Sequence, residues 1–205
     1  MAAPIHLIDP EHPQPRTINH AVAVLQDEGL VVYPTDTSYG IGCDPESHRA
    51  IKRLRQVKPR DPKKPVTFLV RDLSMAARYA HIGDRAHRLM KRLTPGPYTF
   101  VLPATKLVPK VLHNKQRQVG IRIPDHSVPL ALVARLGHPI LNTSATDPLS
   151  GEPIGDPREI RKVFGHVVDL ILDSGLNLFD SSTVLDLCGE APVVLREGKG
   201  PVDVV

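Results

Sequence analysis

The sequence predicts an α/β protein built on a mixed sheet. Two patterns carry that prediction. Strand-like and helix-like runs alternate from residue 17 to residue 165, and three short strand-like runs then follow one another to residue 196. The third observation is size: 205 residues, 41% hydrophobic and 23% charged, suit one domain with a full core. Proline is frequent, at 21 residues, but scattered, and no repeat, low-complexity block or interior linker interrupts the chain.

Residues 1–13 read as an extended, proline-rich lead, 14–200 as the single domain and 201–205 as a tail. Over 17–28, Ile18, Ala21, Val22 and Leu25 share a helical face, and Gly29 is a natural stop. Residues 30–33 (LVVY) form a buried strand ended by Pro34, which has no ladder donor. Thr35-Asp36-Thr37-Ser38-Tyr39-Gly40 then reads as a loop of hydroxyls and one acid at a strand end, where α/β sheets place ligands. Gly40 and Gly42 permit close backbone approach. The same residue types also make an ordinary turn, and spacing alone leaves both readings open.

Asp44-Pro45-Glu46 predicts a helix start, and the helix runs to residue 57. Ala50, Ile51, Leu54 and Val57 face inward; Lys52, Arg53 and Arg55 face outward. Next, Lys58-Pro59-Arg60-Asp61-Pro62-Lys63-Lys64-Pro65 puts four cations and three prolines into eight residues. Proline fixes φ and disfavours helix before it, so these cations sit on a stiff loop suited to gripping a polyphosphate. Strand 66–70 follows, then a helix capped by Asp72 and another from Asp84 to about residue 93. A Thr94-Pro95-Gly96-Pro97 turn leads into strand 98–102. The basic stretch 106–118 reads equally as a flap or a surface loop. Strand 119–123 holds Arg122 among apolar neighbours, which calls for a carboxylate or phosphate partner, whether a ligand or an internal ion pair. After helix 128–136, strand 139–143 opens into Ser144-Ala145-Thr146, a second strand end bearing hydroxyls. Asp156, Pro157 and Glu159 start the last helix. Strands 168–172, 182–187 and 192–196 place Ser182, Thr183 and Arg196 at strand ends.

Composition narrows the chemistry. A net charge of +4 suits an anionic partner, but aromatic residues make up only 4% and Trp is absent, so a base-stacking platform is poorly supported. Cys43 and Cys188 stand far apart and form no CxxC. No apolar run approaches the ~18 residues of a membrane span, and no signal segment opens the chain, which predicts a cytoplasmic protein. GxxxxGK[ST], GxGxxG, HExxH and GxSxG are all missing, and the ten histidines show no ligand spacing, so no metal site is expected.

The motifs YPTDTSYGIGCD at 33–44, Lys58-Pro59-Arg60 before VTFLV, PGPYTFVL at 95–102, VGIRIP at 119–124, NTSAT at 142–146, STVLDL at 182–187 and VLREG at 194–198 resemble, in order, those of the YrdC/YciO family, most closely its YciO branch. The resemblance spans about 14–200. It implies a YrdC-like fold, a twisted open mixed sheet flanked by helices and enclosing a positively charged cavity. It implies an L-threonylcarbamoyladenylate synthase activity, joining ATP (as its Mg²⁺ complex), L-threonine and bicarbonate with release of pyrophosphate. The product would serve tRNA modification with partner proteins. By the same resemblance Thr35 and Arg122 bind threonine, Arg122 through its carboxylate. Lys58 and Arg60 grip the ATP phosphates, and Ser144, Ser182 and Arg196 contact the nucleotide. Three positions depart from the synthase pattern: Lys64 replaces an asparagine, Leu69 a histidine, and Thr146 the asparagine of Ser-x-Asn. They keep two alternatives open: a protein binding tRNA or double-stranded RNA without full synthase activity, and an adenylate-forming enzyme for another small substrate.

Overall fold

The computed structural model describes residues 2–57, 63–177 and 181–203. Its strands are β1 (Ile5–Leu7), β2 (Val31–Tyr33), β3 (Gly40–Cys43), β4 (Thr67–Leu69), β5 (Tyr98–Pro103), β6 (Gln118–Arg122), β7 (Ile140–Ser144), β8 (Leu170–Asp173), β9 (Thr183–Asp186) and β10 (Val193–Arg196). The helices are α1 (Pro15–Gln26), α2 (His48–Val57), α3 (Leu73–Tyr79), α4 (Asp84–Leu93), α5 (Ser127–Leu136) and α6 (Pro157–Phe164). All ten strands join one mixed sheet in the order β1-β8-β2-β3-β7-β4-β6-β5-β9-β10. Helices flank it: α2 packs on β3, α6 on β8, and α1 on β2 and α5.

Local chemistry explains most boundaries. The Asp72 carboxylate accepts the Met75 amide at 2.7 Å and starts α3; Asp156 accepts from Arg158 at 2.8 Å and starts α6. Glu159 does not close a capping box but pairs with Lys162. Gly137, at φ 87°, ends α5 in the left-handed region. Leu25, Leu30, Phe68, Phe100, Ile121 and Leu172 lie at 0% exposure in a continuous core.

Three expectations change. The N-terminal lead contributes β1, which pairs in parallel with β8 at the sheet edge. Gly40–Cys43, read as loop, is a fully buried strand between β2 and β7. Its two glycines make room for Tyr33, whose ring lies against both and whose hydroxyl donates to Asn142 Oδ1 at 2.8 Å. A Cβ on Gly42 would stand 2.5 Å from both the Tyr33 hydroxyl and Ile140 Cγ2. Lastly, Asp44 does not cap a helix. Its Oδ1 accepts the Glu46 amide within a turn, and α2 starts after Ser47, whose Oγ accepts the Ala50 amide at 3.1 Å.

Candidate functional site

Register brings the two hydroxyl-bearing strand ends side by side. Tyr33 of β2 pairs with Gly40 of β3, which pairs with Ser144 of β7. Farther across the sheet, Asn142 faces Thr67, Thr67 faces Gly120, and Gly120 faces Val101. Ser144, Asn142, Thr67, Gly120 and Val101 line a cavity of about 540 Å³, within the size range of small-molecule sites. Ile51, Leu54 and Arg55 of α2 line it from one side, and Ser182, Val184, Leu195 and Arg196 from the C-terminal strands. Arg55, Lys64, Arg122 and Arg196 are its charged lining among the described residues; no Asp or Glu joins them.

Arg122 is 4% exposed and is held by the loop after β2. Its Nη2 donates to Asp36 Oδ1 at 2.5 Å, Thr37 Oγ1 at 2.8 Å and Thr35 Oγ1 at 3.3 Å. The pair is one-pronged: Arg122 Nε and Asp36 Oδ2 are buried and meet no partner among the described residues. The loop is fixed in turn. Thr35 Oγ1 donates to the Ser38 carbonyl at 2.7 Å, Asn177 Nδ2 to the Thr35 carbonyl at 2.8 Å, and Lys199 Nζ to the Asp36 carbonyl at 2.6 Å.

The second cluster lies at the C-terminal strands. Arg196 donates through Nε and Nη2 to the Ser182 carbonyl at 3.1 and 2.7 Å, and Nη2 reaches Ser182 Oγ at 3.2 Å. Ser182 Oγ lies 2.9 Å from Thr99 Oγ1. Burial, then the charge of Arg122, lowers the pKa of Arg196, so the two guanidiniums act on each other.

Of the expected site residues, Arg122, Ser144, Ser182 and Arg196 share this cavity. Thr35 stands behind Arg122 as one of its acceptors. Lys58 and Arg60 lie outside the described residues. Arg55, expected on an outer face, lines the cavity and donates to the Val111 carbonyl. Arg53, also expected outward, bonds Asp169 and the Val167 carbonyl. Of the three departures, Lys64 lines the cavity; Leu69 is buried in the sheet between Ile140 and Arg122, and Thr146 is buried beyond β7. Sequence reasoning missed Asp36 as the partner of Arg122, and missed Thr99, Asn142 and Asn177. Asp36, Thr99 and Asn142 sat inside noted motifs; Asn177 did not.

Fold and site together define an α/β protein with a cavity of small-molecule size on one region of a mixed sheet. The chain belongs to the Sua5/YciO/YrdC family, whose model, described as telomere recombination, matches residues 23–198. Escherichia coli YciO, as a crystal structure, is 39% identical with a TM-score of 0.95, and the match covers 98% of both chains. Pyrococcus abyssi Sua5 complexed with L-threonine is 30% identical with a TM-score of 0.89, covering 98% of this chain and 59% of that one. The threonylcarbamoyl-AMP synthase of Halorhodospira halophila is 30% identical over 93% of this chain and 94% of its own length.

Proposed function

We propose that this protein is a threonylcarbamoyl-AMP synthase-like nucleotidyltransferase. It would join L-threonine, bicarbonate and ATP to threonylcarbamoyl-AMP, pyrophosphate and water, for use in tRNA modification. The observation that carries this reading is the convergence of Arg122, Arg196, Ser144 and Ser182 on one cavity, from strands far apart in sequence. The threonine nitrogen and bicarbonate give an N-carboxylate. Its oxygen attacks the α-phosphorus of ATP while the bond to pyrophosphate breaks. Both reactants are anions, so positioning and charge neutralisation supply most of the catalysis, and no side-chain nucleophile is needed. Arg122 would take the threonine carboxylate, beside Thr35. Arg196, Ser144 and Ser182 would hold the nucleotide, and Lys58 and Arg60 its phosphates, with Mg²⁺ arriving on the ATP.

The test is pyrophosphate release from ATP. Release should require both threonine and bicarbonate and fall to background in Lys58→Ala. Folded protein without threonine-dependent release would overturn the assignment. Lys64 in the cavity lining and Leu69 in the buried sheet support a second reading in which the small substrate is another amino acid. A thermal-shift comparison of amino acids, each with ATP, separates the two. Salt-sensitive RNA binding that persists in the Lys58→Ala/Arg60→Ala variant would place any RNA site outside the cavity.

A further inference from the structure

The ends of β3 and β7 remote from Gly40 and Ser144 carry a second group of side chains that the cavity does not use. Asp44 follows β3 directly, Glu46 lies on the turn before α2, and His138 stands just before β7. One donor atom from each lies within 4.8 Å of the others. His138 Nδ1 lies 3.1 Å from the Pro139 carbonyl, which can only accept, so in that contact Nδ1 carries the hydrogen. In the neutral ring Nε2 then keeps its lone pair, 3.5 Å from Asp44 Oδ2. An imidazole held this way by a backbone carbonyl is oriented as metal-ligating histidines are. Asp44 commits Oδ1 to the Glu46 amide at 2.8 Å, which leaves Oδ2 for the cluster.

We propose that Asp44, Glu46 and His138 bind one first-row divalent cation such as Zn²⁺ or Mn²⁺. Two carboxylates balance the charge of the ion, and an imidazole favours these metals over Mg²⁺ and Ca²⁺, which prefer oxygen alone. Metal–donor bonds of about 2.1 Å put donors roughly 3–3.5 Å apart, so rotation of the exposed Glu46 side chain closes the set. The ion would brace the end of β3 against the start of β7 and the entry to α2, the helix that brings Ile51, Leu54 and Arg55 to the cavity.

Calorimetric titration of metal-stripped protein with Zn²⁺ and Mn²⁺, against Mg²⁺ and Ca²⁺, tests this. One site per chain is expected for the first two metals, with a rise in melting temperature. His138→Ala and Asp44→Asn should weaken binding tenfold or more. Glu46→Gln, on an exposed side chain, should do so without loss of fold. Co²⁺ should give visible absorption bands that His138→Ala abolishes. Absence of saturable one-to-one binding overturns the proposal. So does equal affinity in His138→Ala and Glu46→Gln, which would place the ion on other histidines or on Cys188.

Discussion

Replacing Asp36 with alanine removes the one carboxylate that Arg122 touches among the described residues. The two side chains are 7% and 5% exposed, so water cannot take over the lost contact. Removing one partner of a buried pair costs about 3–5 kcal/mol, because the other charge stays buried. Thr35 and Thr37 still accept from Nη2, but they carry no charge. Arg196 adds to the cost: its pKa is already lowered by burial and by Arg122, and without Asp36 two guanidiniums confront each other uncompensated. The loss is a large part of a total stability of about 5–15 kcal/mol. With a urea slope of about 2–3 kcal/mol per molar, the midpoint should drop by roughly 1–2 M. Asp36→Asn, which keeps the shape and removes the charge, should cost nearly as much. The Asp36→Ala/Arg122→Met double variant should recover a good part of it. A loss below about 1 kcal/mol, the size of an exposed pair, or no recovery in the double variant, would refute this account.

Gly42→Ala pushes a methyl group into the Tyr33 hydroxyl and Ile140, and should destabilise the protein by about 1–3 kcal/mol in the same assay; an unchanged midpoint would mean that the strand has room to spare. Ser182→Ala removes an Oγ shared by Thr99 and Arg196, while Arg196 keeps the Ser182 carbonyl. It should cost about 1 kcal/mol of stability and weaken ATP binding in equilibrium dialysis; unaltered ATP affinity would move the nucleotide elsewhere. Burial pushes the thiol pKa of Cys43 up to about 12 and of Cys188 to about 11. Because the thiolate is the reactive form, labelling of Cys188 should climb about tenfold per pH unit from pH 8 to 10, past the usual plateau near ~8.5. Buried Cys43 should react only on unfolding; two equally fast thiols in folded protein would contradict this.

What could be read from the chain was what neighbours in sequence decide. Asp72 and Asp156 cap helices because their carboxylates reach amides two or three residues ahead, and Gly137 stops one by adopting positive φ. β3 was illegible because Gly-Ile-Gly-Cys carries only one of the branched side chains that mark strands, and its surface is completed by Tyr33 from the next strand. Helical spacing put Arg55 on the outer face of α2, yet it lines the cavity and reaches the Val111 carbonyl, 56 residues away. Strand-end hydroxyls and Arg122 stood out as chemistry, but the partner of Arg122 lies 86 residues away. The Asp44–Glu46–His138 group likewise forms only when β3 and β7 pair.

The strand order has a consequence for how the protein is made. Ser182 lies just before β9 and Arg196 on the edge strand β10, whereas Ile51, Leu54 and Arg55 of α2 and Thr67 of β4 line the cavity from far earlier in the chain. A growing polypeptide therefore leaves the ribosome with its cavity unfinished until residue 196 has emerged. Because pairings this distant in sequence form slowly, ligand binding should mark closure of the sheet around the cavity and could not guide the stages before it.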